Sequence, residues 1–256
     1  MSLHDEINTL YWGHGTRHIL PFIGDSYDQP SDELRVLVVG LNAYISDGDW
    51  PEDDTDVQQR YPDWWRAAGH ANSHHYHEAA YKGYSALIDR LKESALLAGL
   101  SCKLDAQNKP ELYATNAVKF FLPERFKDSN ELSSERLATQ RATWHGELDT
   151  LAKHSVFPHV IVIFAEKAWR MAWQAFHPNH WAKSHQHFRV MKFVPGADGG
   201  TRHYANRITA EVGGHSHEIL LVRLHHPSAR SKVKCDADWL VAHSDFRELA
   251  GLSASE

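Results

Sequence analysis

At 256 residues, with 42% apolar and 23% charged side chains, the chain has the composition of an ordinary globular protein and the length to bury one large core. Its formal net charge of −6 argues against coating nucleic acid by bulk electrostatics, while leaving room for a local basic face. Two cysteines, Cys102 and Cys235, are too few for a disulfide framework or a four-thiolate iron–sulfur cluster. No stretch approaches the roughly 18 apolar residues of a membrane span, and Asp5 and Glu6 stand where a secretory signal is basic, so a cytoplasmic protein without a membrane partner is expected.

The chain reads as a single domain, 1–256, in which 1–33 form an N-terminal segment. There Leu10, Tyr11 and Trp12 pack on the body, and Pro21 and Pro30 break any long helix. Val36-Leu37-Val38-Val39 is too short for a helix and apolar on both faces, which predicts a buried strand. The chain turns polar at Gly40-Leu41-Asn42. In an open α/β sheet ligands bind beyond the carboxyl ends of the strands, so Asn42 and Tyr44 fall where chemistry is expected. Ser46 to Asp63 is rich in Asp, Gly and Pro, and its spacing does not match an EF-hand; a solvated acidic loop is the simpler reading. Tyr61-Pro62-Asp63-Trp64-Trp65 follows, and its rings either wall a planar ligand or pack in the core. Among His70, His74, His75 and His77, the pair His70 and His74 shares a helix face, but no third ligand lies at a suitable offset and no metal site is expected. These residues instead open a helix whose apolar stripe runs through Ala79, Tyr84, Leu87, Leu91 and Leu96.

Leu112 to Phe121 predicts a second strand or extended segment. Asn116 lies inside it, and because its amide competes for backbone hydrogen bonds it needs partners that either the fold or a ligand supplies. Ser133 or Ser134 can cap a helix carrying Leu137, Trp144, Leu148 and Leu151. His159 to Phe164 reads as another buried strand, followed at once by a helix of Ala168, Trp169, Ala172 and Trp173. Alternation of strand and helix is the signature of a three-layer α/β/α sandwich with a mainly parallel sheet. Between Pro178 and Gly214 only Phe188 to Val194 alternates as a strand, and no phosphate loop or dinucleotide fingerprint occurs. Glu218 to Leu224 is the last clear strand and runs into His225-His226-Pro227-Ser228. Pro227 ends the ladder and stiffens the turn, which holds His226 at the strand end. Arg223, Arg230, Lys232 and Lys234 form the densest basic patch, with Arg230 on the loop after His226, and a final helix from Asp236 to Leu249 closes the domain.

Set side by side, the three strand ends resemble the motifs of the uracil-DNA glycosylase superfamily, in the same order along the chain. Gly40-Leu41-Asn42 is similar to the first motif, a Gly followed two residues on by the Asp or Asn that positions the attacking water. Tyr44 resembles the Tyr with which the uracil-specific branch blocks the thymine methyl. Thr115-Asn116-Ala117-Val118-Lys119 is similar to the second motif of the iron–sulfur branches, whose Asn reads the uracil edge, and His226-Pro227-Ser228 resembles the His-Pro-Ser motif. The chain departs from the pattern in lacking cluster cysteines and in carrying Ala43 where the first motif usually has Pro.

The resemblance implies a central, mainly parallel four-stranded sheet, no cofactor, and a monomer acting on DNA that contains a damaged or deaminated base. The activity it implies is that of a DNA glycosylase, hydrolysing the N-glycosidic bond of uracil or a related base flipped out of the strand. In that role Asn42 orients water and His226 stabilises the leaving base. Gly40, Leu41, Tyr44, Asn116 and Trp64 or Trp65 line the base pocket, and Ser228, Arg230, Lys232 and Lys234 meet the DNA. The residue types suit the chemistry, which needs a polar group on water, a donor for the base's developing charge and an amide matching a pyrimidine edge. Asn42 orients water but accepts its proton poorly, so slow turnover is expected. Two other readings stay open on the sequence: a catalytically inactive nucleic-acid or nucleobase-binding module of the same fold, and a metal-dependent hydrolase built on the histidine cluster.

Overall fold

The computed structural model describes residues 1–12, 20–24, 27–29, 32–40, 62–68, 75–101, 112–116, 134–176, 182–190, 202–212, 215–227 and 230–253. Its strands are β1 (Phe22–Ile23), β2 (Val36–Gly40), β3 (Leu112–Asn116), β4 (Val160–Phe164), β5 (Ala182–Val190), β6 (Arg202–Val212) and β7 (His215–Leu224). They form one mixed sheet in the order β1-β3-β2-β4-β7-β6-β5. Within it β3, β2, β4 and β7 run parallel, while β1 pairs antiparallel with β3, β6 with β7 and β5 with β6. Every residue of β2 and β4 is buried, as strands covered on both faces must be.

Two-residue periodicity divides the core. Leu37, Val39, Ile161, Ile163 and Leu221 face one cluster, shared with α1 (Leu3–Trp12), α4 (Ser134–Lys153) and α5 (Glu166–Phe176). Val36, Val38, Val160, Val162 and Val222 face the other, shared with α2 (62–67), α3 (His75–Leu91), α6 (Arg230–Val241) and α7 (Ser244–Leu249). Helices therefore cover both faces of the sheet, and the chain is of the α/β class. A carboxyl group lies inside the first cluster. Glu147 is fully buried and accepts hydrogen bonds from the Tyr11 hydroxyl and, at 3.4 Å, from Thr115 Oγ1, which ties α1, α4 and β3 together.

Several expectations change. Among the described residues the sheet has seven strands and is mixed, whereas a mainly parallel four-stranded sheet is expected from the sequence, because the strands after α5 pair antiparallel and the N-terminal segment adds β1. That segment also forms α1, with Leu3, Ile7 and Tyr11 buried against α4. The helix stripe expected through Leu96 stops at Leu91, where Ser94 accepts the Leu96 amide at 3.1 Å and opens a short 3-10 turn, Ala95–Leu97. The final helix is two helices broken at Ala242 and His243, and the first begins at Arg230 rather than Asp236. Arg230, Lys232 and Lys234 are thus positions of a helix, not of a loop. The strand expected over Phe188–Val194 is β5, which ends at Val190; 191–194 lie outside the described residues, as do 117–121 beyond β3 and most of the acidic loop.

At the amino edge of the sheet, the Arg35 backbone N–H donates to His159 Nδ1 at 3.1 Å and the His159 N–H donates to the Arg35 carbonyl at 3.0 Å. Burial, then the nearby Arg35 and His217 charges, push the His159 pKa down to about 4 from an ordinary 6.5. Between those values the unfolded chain binds a proton that the folded chain excludes, so stability falls as pH drops from 6.5 toward 4 and the loss is complete below 4. Between pH 7 and pH 4.5 this side chain removes roughly 2–3 kcal/mol. His159→Asn keeps an acceptor for Arg35 and does not titrate; urea unfolding at the two pH values should show a loss smaller than the parent's by that amount, and equal losses would refute the assignment.

Candidate functional site

The four parallel strands end at one edge, and the register fixes which residues meet there. Gly40 pairs with Asn116 in the β2–β3 ladder, and Phe164 pairs with Leu224 in the β4–β7 ladder. The Ala165 N–H adds one more rung, donating to the Leu224 carbonyl at 3.0 Å. Connections leave β2 toward β3 and β4 toward β7, so the topological switch point falls between β2 and β4. In open α/β sheets that is where ligands bind. Ala165 itself holds a φ of 76°, a conformation that costs a non-glycine residue about 1–2 kcal/mol. It turns the chain from β4 directly into α5.

Beyond Leu224 the chain passes through His225 and His226 to the buried Pro227. Asp236, on the second turn of α6 and only 5% exposed, accepts the His225 backbone N–H on one carboxylate oxygen and meets His225 Nδ1 with the other, both at 2.6 Å. His226 is half-buried, and burial holds its pKa below the ordinary imidazole value, so its ring is neutral near pH 7. Tyr76 stands edge-on to it, with ring centroids 5.5 Å apart. Tyr76 adjoins His77, which packs against Trp65 at 4.8 Å and Trp64 at 5.5 Å. A row of rings therefore runs from α2 across the start of α3 to the His226 turn.

The expected site residues fare differently. Gly40, Asn116 and His226 share the carboxyl edge, Asn116 as a backbone position at the end of β3. Leu41, Asn42, Tyr44 and Ser228 lie outside the described residues, as do His70 and His74. Arg230, Lys232 and Lys234 are backbone positions in the first turns of α6. Arg223, counted with the basic patch in the sequence, is turned inward. It is 6% exposed on β7, with Nη1 3.6 Å from Glu166 Oε2 of α5 across the sheet end. Trp65 is 3% exposed and a core residue, whereas Trp64 is half-buried. His77 is buried, with its ring against Trp65, Trp64 and Tyr76.

Three residues of the edge escape the sequence reading: Tyr76, His225 and Asp236. Tyr76 sits inside a histidine cluster that draws attention to metal binding. Asp236 follows His225 by eleven positions, and only the reversal at Pro227 brings the two together. An acidic residue on the buried face of α6, among Ala237 and Leu240, was the signal available.

No protein-family model matches the chain, and no curated protein is similar to it in sequence.

Two outcomes test this description. Trp65→Ala should cost about 3–5 kcal/mol in chemical denaturation, as loss of a core tryptophan does, and Trp64→Ala only about 1–2 kcal/mol; equal costs would mean that both rings are core. Ala165→Gly should be neutral or stabilising by up to about 1 kcal/mol, and Ala165→Val should destabilise, since only glycine adopts the left-handed conformation freely.

Proposed function

We propose that the chain is a monofunctional DNA glycosylase that hydrolyses the N-glycosidic bond of uracil or a related deaminated base flipped out of DNA. The observation that carries this reading is the convergence of Gly40, Asn116 and the His226-Pro227 turn at one carboxyl edge, beside the switch point of the sheet. Asn42, two residues past Gly40, orients the attacking water, and Asn116 matches the pyrimidine edge. The likeness to the three-layer glycosylase sandwich belongs to this proposal too: four parallel strands in the order β3-β2-β4-β7 form its centre, and the antiparallel strands are additions at either side.

The chemistry follows from the residues. As the bond to the sugar C1′ lengthens, negative charge collects on the base oxygen. A neutral, half-buried His226 donates to that oxygen, the kind of stabilisation worth about 3 kcal/mol per donor. Tyr76 limits the ring's rotation from one side. Extruding the base costs a few kcal/mol, less for a mispaired or single-stranded one. Arg230, Lys232 and Lys234, in the first turns of α6, supply phosphate contacts, and the positive end of the helix dipole favours an anion there as well. Trp64 or Trp65 is the expected stacking ring, and Trp64, the half-buried one, takes that part here. A cytoplasmic monomer with DNA as its partner completes the proposal.

Base release from oligonucleotides carrying uracil, hypoxanthine, xanthine or a thymine mismatch, in single and double strands, tests it. One lesion should be excised, and His226→Ala and Asn42→Ala should each lower the rate about 100-fold or more, the loss expected of a transition-state contact. Retardation of the strand without abasic sites would replace the enzyme by a binding module of the same fold.

A further inference from the structure

We infer that His225, backed by the buried Asp236, is the base that takes the proton of the attacking water in this site. The inference rests on the glycosylase reading and supplies what that reading lacks. An amide at position 42 holds water by hydrogen bonds, but it has no basic lone pair for the proton released as oxygen bonds to C1′. Some group at the strand edge must accept it.

Among the described residues of that edge, His225 has the construction of a base. A carboxylate only accepts, so the 2.6 Å contact with Asp236 Oδ1 places the ring proton on Nδ1 and leaves the lone pair on Nε2. The second Asp236 oxygen takes the His225 backbone N–H at 2.6 Å, so the same carboxylate fixes both the ring and the peptide that carries it. Asp236 is buried and cannot follow the ring outward, while the His225 side chain is 40% exposed and opens to water. A histidine whose Nδ1–H is held by a buried carboxylate and whose Nε2 is open is the arrangement by which an imidazole is oriented as a general base. His226, next along the chain, is built the opposite way. It has a ring neighbour in Tyr76, and burial keeps it neutral. Adjacent imidazoles in contrasting environments divide the proton acceptor from the hydrogen-bond donor.

The step balances. Water oxygen forms the bond to C1′ and the bond from C1′ to the base nitrogen breaks. Its electron pair leaves with the base, whose oxygen is held by His226, and the water proton passes to His225 Nε2. The resulting imidazolium, stabilised by Asp236, returns its proton to the departed base or to solvent. Asp236 is a positioning residue and His225 a catalytic one.

His225→Asn tests the assignment, because the Asn amide nitrogen replaces Nδ1 toward Asp236 and nothing replaces Nε2. On uracil-containing strands its single-turnover rate should fall at least about 100-fold, the usual contribution of a positioned base, with strand binding and thermal unfolding unchanged. Asp236→Asn should lower kcat with KM unchanged. Nitrogen NMR of the ring gives a readout independent of turnover: the proton should sit on Nδ1 in the parent protein and shift toward Nε2 in Asp236→Asn. If His225→Asn keeps the parent rate while His226→Ala loses most of it, the base assignment is wrong and the glycosylase reading stands. A parent chain that releases no base overturns both, and a parent ring protonated on Nε2 overturns the dyad whatever the activity.

Discussion

The parallel register of β3, β2, β4 and β7 is the constraint on which the rest depends. Parallel strands in one sheet all begin on one side and end on the other, so four segments far apart in sequence deliver their last residues to a single line. A slip of one residue in any of them would carry its side chains to the opposite face. Here the slip is forbidden by the two cores: moving β2 by one position would exchange Val36 and Val38 with Leu37 and Val39, each set packed against a different layer of helices. Hydrophobic burial, worth about 1.5–3 kcal/mol for each such side chain, thereby fixes where Gly40 and Asn116 stand relative to each other.

The polar groups of the site are placed by the same logic, one step removed. Pro227 cannot extend the β7 ladder, so the chain must turn at His225 and His226, and the freed backbone N–H of His225 needs an acceptor. Asp236 provides it from α6, and a carboxylate in that position has a second oxygen to spend on the ring. The turn, the helix and the ring orientation therefore satisfy one another. Removing any of them leaves a buried donor or a buried charge unmatched, at about 1–3 kcal/mol or more.

The strands were legible from the sequence where burial is complete. β2 and β4 read as unbroken aliphatic runs, and β7 reads nearly as well, because parallel interior strands need no polar face. β6 was not legible. Asn206 is fully buried between Ala205 and the half-buried Arg207, which hides the two-residue period, and β5 carries register shifts at Ala182/Ser184 and Phe188/Arg189 that break it further. The candidate site shows the same division. Gly40, Asn116 and His226 announce themselves because a polar or turn residue interrupts or ends an apolar run. Tyr76 and Asp236 do not, since each joins the edge through a contact distant in sequence, Tyr76 with His226 and Asp236 with His225. The basic patch was legible as a count of charges but not as geometry, and Arg223 shows why: its place on a strand turns its charge inward.

The packing of α3 against α6 has a consequence for His226. α3 brings Tyr76 to one side of the turn and α6 brings Asp236 to the other, so the turn is set by the distance between two helices as well as by β7. An ion pair joins them, Arg90 to Asp238, with contacts of 2.8 and 2.7 Å, but both side chains are more than half exposed and such pairs contribute little. The buried surfaces of Leu87, Ile88, Leu91, Ala237 and Leu240 hold the spacing instead. Hydrophobic contact is short-ranged and resists both opening and overpacking. A site built this way keeps its histidines in place under changes of salt that would loosen a charged clamp, and the same salt acts directly on phosphate contacts from the start of α6. Affinity for a strand and the geometry of the turn then answer to different forces, although one helix serves both.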